Sequence, residues 1–302
     1  MAQPRSPFST SPSNVKLSYR IATGGKDLQP GATVPAGCGR PPMVVLHGLL
    51  GSAPNMRQFT LSPRISGDRA VVRVDLRNHG SSPHSDAMTT AAMAGDLVRL
   101  LDDLGLDSAV VLGHSLGGRV AMMTALHHPE RVSALIASDI APVQYPESEG
   151  SDPGTSLRGI ITSLSLLDLA EVSSRSDAME RLKPRIPSEA IRGFALMNLD
   201  GRPGEWRWKC NLAVLKQSLN KWDDFPALLD AGNVYTGPSL FARGGNSDYV
   251  QPGNPEHMNA IETLFPSYRL ETIEGAGHWL HAEKPKDFVE LTARFLDDIE
   301  GV

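Results

Sequence analysis

The sequence predicts an α/β domain in which helices flank a mostly parallel central sheet. Short apolar runs of strand length alternate along the chain with longer stretches of helical periodicity, which is typical of this class. The run "SAVVLG" (108–113) is apolar almost throughout, as expected for a strand that is covered on both faces. The 302 residues, 40% hydrophobic and 21% charged, suffice for one large domain with a substantial buried core.

The predicted strands and helices follow one another in alternation. Apolar or alternating runs predict strands at 16–22, 43–48, 70–75, 108–113, 132–138, 238–243 and 268–274. The first of these alternates as an edge strand does. Helical periodicity predicts helices over 89–104, over about 116–127 and from Pro285 to near the end of the chain. Thr89 or Thr90 can cap the first helix, and Gly105 ends it.

The middle of the chain interrupts this alternation. The stretches "IITSLSLLDLAEV", "DAMERL" and "CNLAVLKQSL" look helical, and no strand pattern stands between them. We therefore expect a disordered tail or short targeting segment at 1–15, a core formed by 16–142 and 234–302, and a helical cap inserted at 143–233. The insertion follows the carboxyl end of a strand, which is the edge where open α/β sheets bind ligands.

Charge and cysteine content exclude several classes of partner. The net charge of −5 and the pI near 6.0 argue against nucleic acid or an anionic membrane surface as the main partner. No apolar run approaches the roughly 20 residues that span a bilayer. The two cysteines, Cys38 and Cys210, are too few for a disulfide framework, and no metal-ligand spacing surrounds them. We expect an intracellular, soluble protein without a bound metal.

The N-terminus is open to two interpretations. Its first 26 residues lack acidic side chains and include the Ser-rich stretch "SPFSTSPS", a composition shared with organelle transit peptides. A disordered tail is favoured, because the strand predicted at 16–22 leaves little length for a targeting signal. Both a mitochondrial and a cytoplasmic location are therefore retained.

Ser115 is the predicted nucleophile. The stretch "GHSLG" (113–117) stands between a predicted strand and a predicted helix, which is the context of a nucleophile elbow. The sharp reversal puts the serine backbone in an unfavourable conformation, at a cost of about 1–3 kcal/mol. It also leaves no room for side chains at Gly113 or Gly117. The alternative interpretation is an ordinary glycine-rich loop.

His278 is the predicted base. It follows a late strand in "EGAGHWLHAEKP", on a loop with two glycines, and it comes after the serine and the acid in chain order. His47 is more consistent with a structural role beside an early loop. His281 lies within one helical turn of His278, but the glycines precede residue 278.

The main-chain N–H groups of Leu49 and Leu116 are the predicted oxyanion donors. "HGLLG" (47–51) follows an early strand and can present the first N–H beside the second, which begins the helix after the serine. The alternative interpretation of 47–51 is a simple glycine turn.

Two carboxylates compete for the acid position. Asp139 directly follows the strand after the elbow, and Asp248 lies in "GGNSDYV" after the next strand. A Gly-x-x-Asp pattern with Val three residues later places Ser247 in the acid slot, so Asp248 fits only if the pattern slips by one residue. Asp139 needs no such slip and is favoured.

Together these motifs resemble the α/β-hydrolase superfamily, and more narrowly the esterases grouped with alpha/beta-hydrolase domain-containing protein eleven and its small bacterial relatives. The matching stretches are "HGLLGS", "VDLRNHGSSPH", "GHSLGG", "DIAPVQY", "WRWKCNL", "GGNSDYV" and "GAGHWLHAEKP". The resemblance implies an α/β-hydrolase fold and hydrolysis of small-molecule acyl esters or thioesters through a serine, with no metal or organic cofactor. It also favours Asp139, since some relatives with a "GGNS" loop carry their acid after the earlier strand, and its eukaryotic members resemble mitochondrial proteins.

Substrate contacts and competing functions remain open at this point. Phe194, Met197, Trp206 and Trp208 are candidates for an acyl pocket in the cap, although each of them can equally pack within it. Dehalogenases and epoxide hydrolases of this fold are disfavoured because they need an aspartate at position 115. Lyases of this fold, and a ligand receptor or binding protein with residual hydrolysis, are retained as alternatives.

Overall fold

An eight-stranded sheet forms the centre of the molecule. The computed structural model describes residues 14–35, 37–145, 154, 156–222 and 225–301. The strands of the sheet are β1 (Ser18–Thr23), β2 (Lys26–Asp27), β3 (Met43–Leu46), β4 (Val71–Asp75), β5 (Ala109–His114), β6 (Val132–Ser138), β9 (Ser239–Gly244) and β10 (Tyr268–Ile273), with β7 (Leu199–Asp200) and β8 (Arg207–Trp208) paired separately. Their order is β10-β9-β6-β5-β3-β4-β1-β2, and only β1 and β2 run antiparallel to their neighbours.

Helices cover both faces of this sheet. They are α1 (Arg57–Thr60), α2 (Pro63–Ser66), α3 (Thr90–Asp103), α4 (Leu116–His127), α5 (Leu157–Ser165), α6 (Arg175–Leu182), α7 (Glu189–Leu196), α8 (Leu212–Ser218), α9 (Phe225–Asp230), α10 (Pro255–Leu264), α11 (Leu280–Glu283) and α12 (Pro285–Glu300). The core accordingly has two apolar layers. In β3, Val44 and Leu46 belong to one layer, and Met43 and Val45 belong to the other. The predicted fold class is confirmed.

Several elements differ from the sequence predictions. The strand predicted as an edge, β1, is covered by β2 and is therefore the second strand from the edge. The segment predicted to lack strands contains the ladder β7–β8. Strands of two residues leave no periodicity in a sequence, because one alternation is not a pattern. The short helices α1 and α2 and the helix α10 also lay outside the predicted elements.

The chain between β6 and β9 lies beside the carboxyl ends of the strands. Within it, residues 157–230 without 223 and 224 contain α5 to α9 and are called the 157–230 segment below. Asn198 Nδ2 donates to the carbonyl oxygen of Leu50 at 2.7 Å, and Arg119 Nη1 donates to that of Trp222 at 2.5 Å. These bonds tie the segment to the loop after β3 and to α4. The predicted tail lies outside the described residues as far as residue 13.

The parallel register brings five chain segments to one edge. Leu46 is paired with Gly113, His114 with Ser138, and Ser138 with Ala242. The loops after β3, β5, β6, β9 and β10 therefore emerge side by side, as expected at the ligand-binding edge of a parallel sheet. Among the described residues, no helix is both long and apolar enough to cross a bilayer.

Candidate active site

Ser115 occupies a sharp turn between β5 and α4. Its φ of 52° lies in the left-handed region, which disfavours side chains other than glycine. A Cβ at Gly113 would overlap the main chain of Gly117, and one at Gly117 would lie 2.6 Å from the carbonyl oxygen of Leu46. The glycines are therefore required for the strand and the helix to approach this closely. The turn directs Ser115 toward the N-terminus of α4, where main-chain N–H groups favour negative charge.

The imidazole of His278 is bound to Asp139. Its Nδ1–H donates to Asp139 Oδ2 at 2.7 Å. Asp139 is fully buried at the end of β6, with a φ of 51°. The N–H of Gly244 donates to Oδ1 at 3.0 Å, and the hydroxyl of Ser247 donates to Oδ2. His278, Gly244 and Ser247 thus donate three hydrogen bonds that fix the Asp139 carboxylate. Because Nδ1 of His278 is used in this way, Nε2 is the ring nitrogen left to act on a substrate.

The competing carboxylate lies on the loop after β9 and does not reach His278. Asp248 is exposed, and its Oδ1 accepts from Gln251 Nε2 at 3.1 Å. The structure therefore brings Asp139, rather than Asp248, to His278. Ser247 fills the slot where the sequence pattern expects an acid, and it serves there as a donor to Asp139.

The loop after β3 approaches Ser115 closely. A Cβ at Gly48 would lie 2.8 Å from His114 Nδ1 and 3.3 Å from Ser115 Cβ, so this position accepts only glycine without displacement. Leu49 and Leu116 both line a cavity together with Ser115. Within the described part of the chain, neither the N–H of Leu49 nor that of Leu116 has a protein acceptor. Both residues that the sequence singled out thus line a cavity with the serine, and their N–H groups are not engaged by another described group.

Two buried histidines support this loop from below. His47 Nε2 accepts from the N–H of Leu76 at 3.0 Å, and His79 Nε2 accepts from the N–H of Leu50 at 3.2 Å. Both rings must therefore be neutral with the proton on Nδ1. Burial lowers the pKa of His47 to about 4 and that of His79 to about 3, which agrees with these bonds. His47 thus has the structural role that the sequence indicated.

Two aromatic residues flank the His278 ring, and the sequence analysis did not single them out. The Tyr249 ring is stacked on it with centroids 4.0 Å apart, and the His114 ring lies 4.7 Å from it on a tilted plane. His114 Nε2 also bonds to the carbonyl oxygen of His278 at 2.8 Å and must be the donor. The sequence could have indicated a role for His114, because its place inside the elbow motif puts this side chain beside the serine.

Two cavities meet at Ser115. The first, of about 50 Å³, is lined by Leu49, Ser115, Leu116, Arg119, Ile140, Tyr145, Leu157, Leu219, Trp222 and Tyr249. The second, also of about 50 Å³, shares Leu49, Ser115 and Leu157 with the first and extends along His278, Trp279, Ile160, Ile191 and Phe194. Ser115 and His278 thus face the same second cavity.

The predicted substrate contacts occupy different places. Phe194 lines the second cavity. The described cavity linings do not include the other three candidates. Trp206 Nε1 donates to the carbonyl oxygen of Val172 at 2.9 Å, and Trp208 lies in β8. Met197 is exposed beside Asn55. The residues described contain no group of His, Cys, Asp and Glu arranged to hold a metal ion.

This fold, with a serine at the turn between β5 and α4, defines an α/β hydrolase. The chain belongs to the alpha/beta hydrolase family, whose sequence profile matches residues 43–291. It is 38% identical over 284 residues to the sn-1-specific diacylglycerol lipase ABHD11 of Mus musculus, covering 93% of this chain and 85% of that protein. It is 33% identical over 259 residues to the esterase YbfF of Escherichia coli (strain K12), covering 85% and 93% of the two chains.

A solved structure agrees with these relatives. A marine microorganism esterase superposes with a TM-score of 0.78 at 31% identity, covering 93% of this chain and 99% of that one. The recognised superfamily and the fold predicted from it are confirmed. These relatives are named as a lipase and as esterases, which supports a carboxylic ester hydrolase activity for the chain.

Proposed function

We propose that this protein hydrolyses carboxylic esters or thioesters of acyl chains through a covalent intermediate on Ser115. The observation that carries the proposal is the hydrogen bond from His278 Nδ1–H to the buried Asp139, with the same imidazole facing the cavity that Ser115 lines. A serine hydroxyl is a weak nucleophile unless a base takes its proton, and the base must present the correct ring nitrogen.

The proposed reaction has two steps. Ser115 Oγ attacks the carbonyl carbon while His278 Nε2 takes its proton, and the N–H groups of Leu49 and Leu116 bind the oxyanion. His278 then gives the proton to the leaving oxygen or sulfur, and the acyl group remains on Ser115. Water that has lost a proton to the same imidazole releases the acid. Asp139 stabilises the imidazolium in both steps and stays ionised throughout.

The position of Ser115 relative to His278 is compatible with this chemistry. Among the described residues, the structure records no hydrogen bond between the two side chains, although both line one cavity. Such bonds are often long before substrate binds and shorten in the reactive complex. The relatives named as a diacylglycerol lipase and an esterase support an acyl ester as the substrate.

The first test replaces the nucleophile. We expect Ser115→Ala to abolish hydrolysis of p-nitrophenyl acetate and butyrate, and to prevent labelling by a fluorophosphonate probe. Residual activity equal to that of the wild type would contradict the covalent step. Multiple turnovers by the wild type at substrate excess separate an enzyme from a ligand receptor with residual hydrolysis.

The second test compares two matched variants of the acid. We expect Asp139→Asn to lower kcat on the order of 10⁴-fold, because an amide at this place favours the wrong tautomer of His278. Asp248→Asn changes an exposed side chain of the loop after the neighbouring strand β9 and serves as the control. A merely modest loss in Asp139→Asn, or a large loss in Asp248→Asn, would reverse the assignment.

A further inference from the structure

Ser115 lines both of the cavities described above. We propose that the cavity beside Tyr145 and Trp222 binds the acyl chain, and that the cavity beside Phe194 and Trp279 binds an apolar alcohol. This inference rests on the proposed function, because it assigns the two halves of the ester that Ser115 would cleave. The substrate is accordingly an ester that is apolar on both sides of the scissile bond.

The position of His278 determines which half enters which cavity. The leaving oxygen must come within about 2.6–3.2 Å of the imidazole nitrogen that protonates it. His278 lines the second cavity together with Trp279, whereas the described lining of the first does not include it. The alcohol half therefore leaves through the second cavity.

The acyl half must then extend into the first cavity. Leu49 and Leu116, whose N–H groups would bind the carbonyl oxygen, both line this cavity with Ser115. When the oxygen is held there and the leaving group points to His278, the first of the two described cavities is left for the third substituent of the carbonyl carbon. Ile140, Leu219 and Trp222 give this cavity a predominantly apolar wall, which suits an acyl chain.

The charged residue of the first cavity is already engaged by the protein. Arg119 Nη1 and Nη2 donate to the carbonyl oxygens of Trp222 and Val143 at 2.5 Å each, and the guanidinium lies 5.2 Å from the Tyr145 ring centroid. Its charge is thereby directed to main-chain carbonyls and an aromatic face. The first cavity is therefore suited to a hydrocarbon chain rather than to an acid.

The second cavity is suited to an alcohol without charge. The Phe194 and Trp279 rings lie 5.7 Å apart, and Ile160 and Ile191 complete an apolar wall. Its described lining contains no Lys, Arg, Asp or Glu. Burial lowers the pKa of His281, one of its histidines, to about 4, so this ring is neutral at pH 7. A phosphate-bearing thiol such as a coenzyme would find no cation there.

Two matched variants and two substrate series test the assignment. Leu219→Trp fills the first cavity, and Ile191→Trp fills the second, since each residue lines one cavity only. One series is p-nitrophenyl acetate to octanoate, in which the leaving group is constant. The other is methyl to hexyl acetate, in which the acyl group is constant. Val234→Trp, at an exposed position outside both linings, is the control.

We expect kcat/KM of the wild type to rise with chain length in both series. Leu219→Trp should lower the octanoate-to-acetate ratio by about tenfold or more, the range typical of methylenes that an apolar pocket rejects. Ile191→Trp should lower the hexyl-to-methyl ratio by a similar factor. Where a tryptophan variant does not fold, Leu219→Ala and Ile191→Ala test the same assignment, because they enlarge the cavities and should raise the same two ratios.

The remaining outcomes contradict the inference in different ways. Exchange of the two effects would reverse the assignment, and unchanged ratios in both variants would show that neither cavity binds substrate. A fall of kcat/KM with alcohol length in the wild type would overturn the apolar alcohol. A wild type that hydrolyses no ester of either series would overturn the proposed function itself, which the other outcomes leave intact.

Discussion

Unfavourable backbone conformations occur at residues of the candidate site. In the described part of the chain, the non-glycine residues with positive φ are Leu50, Asn78, Ser115 and Asp139, between 51° and 65°. Each costs about 1–3 kcal/mol and persists only where the surroundings enforce it. Ser115 and Asp139 each follow directly after a strand, so the same turn geometry exposes the hydroxyl and aims the carboxylate at His278.

His114 connects the nucleophile to the loop that carries the proposed base. It is the neighbour of Ser115, and its Nε2–H holds the carbonyl oxygen of His278 at 2.8 Å. Burial lowers the pKa of His114 well below 6.5, so the ring stays neutral and this bond persists through the neutral pH range. We regard His114 as a positioning residue, since it acts on the reaction through His278.

We predict that His114→Met lowers kcat by roughly 10- to 100-fold and leaves KM within about twofold, because a displacement of about 1 Å can cost 10²-fold in rate. His114→Gln places an amide donor near the same carbonyl and should recover much of the loss. The measurement is kcat and KM for p-nitrophenyl butyrate, together with the thermal midpoint of each variant. Equal losses in both variants, or a rise in KM alone, would exclude the positioning role.

The sequence predicted individual site residues to the extent that a local motif surrounds them. Ser115 has strand, glycines and helix in one short stretch, and His278 has its glycine loop and its place in chain order. Local motifs could not settle which carboxylate binds His278, because Asp139 and Asp248 follow neighbouring strands. They differ in whether the side chain points toward His278 in the folded protein, and the sequence does not encode that locally. The sequence pattern marked the position of Ser247 but as an acid slot, and its role as a donor to Asp139, like the stacking of Tyr249 on His278, appears only in the folded loop.

At the scale of elements, the close approach of the loop after β3 to the elbow is a second geometric requirement. Gly48 packs against both His114 and Ser115, and the adjacent Leu49 lines a cavity together with the serine. This loop cannot shift easily away from the elbow, because the buried rings of His47 and His79 hydrogen-bond to the chain after β4 and to the loop itself. The position of the proposed oxyanion donor therefore depends on a glycine.

We predict that Gly48→Ala lowers kcat on the order of 10²–10³-fold, the loss typical when one oxyanion donor is removed. The added Cβ would lie 2.8 Å from His114 Nδ1, and relief of that contact moves the N–H of Leu49 away from the serine. Gly39→Ala is the matched control, because a Cβ there meets no atom within 4 Å. A Gly48→Ala enzyme with wild-type kcat would show that this N–H does not bind the oxyanion.

Elements were predictable in proportion to their length and burial. The six-residue strand β5 and the helices α3, α4 and α12 repeat their pattern often enough to identify them. The cavity walls were not predictable, because Leu157 is far in the chain from Leu219 and Trp222, and these residues meet only when the 157–230 segment folds over the sheet edge. Trp206, a conspicuous aromatic in the sequence, instead bonds within that segment.

At the scale of the whole molecule, several buried imidazoles link stability to pH. Burial is the main cause that lowers the pKa of His47 and His281 to about 4 and that of His79 to about 3 in the folded protein. In the unfolded chain these groups titrate near pH 6.5. Between about pH 6.5 and pH 4 the unfolded state therefore binds more protons than the folded state, so acidification through this window favours unfolding.

We predict that the free energy of unfolding falls between pH 7.5 and pH 5.0, by about 2 kcal/mol for each histidine with a folded pKa near 4. Urea unfolding followed by tryptophan fluorescence at the two pH values measures the difference.

His281→Phe tests the cause, since Nδ1 of His281 has no partner among the described residues and its ring already packs against Phe288. The pH difference should shrink by about 2 kcal/mol in that variant. His128→Gln, which removes a half-exposed imidazole outside the core, should leave the difference as it is. If His281→Phe and His128→Gln show the same pH difference as the wild type, the buried ring at 281 does not carry the acid sensitivity.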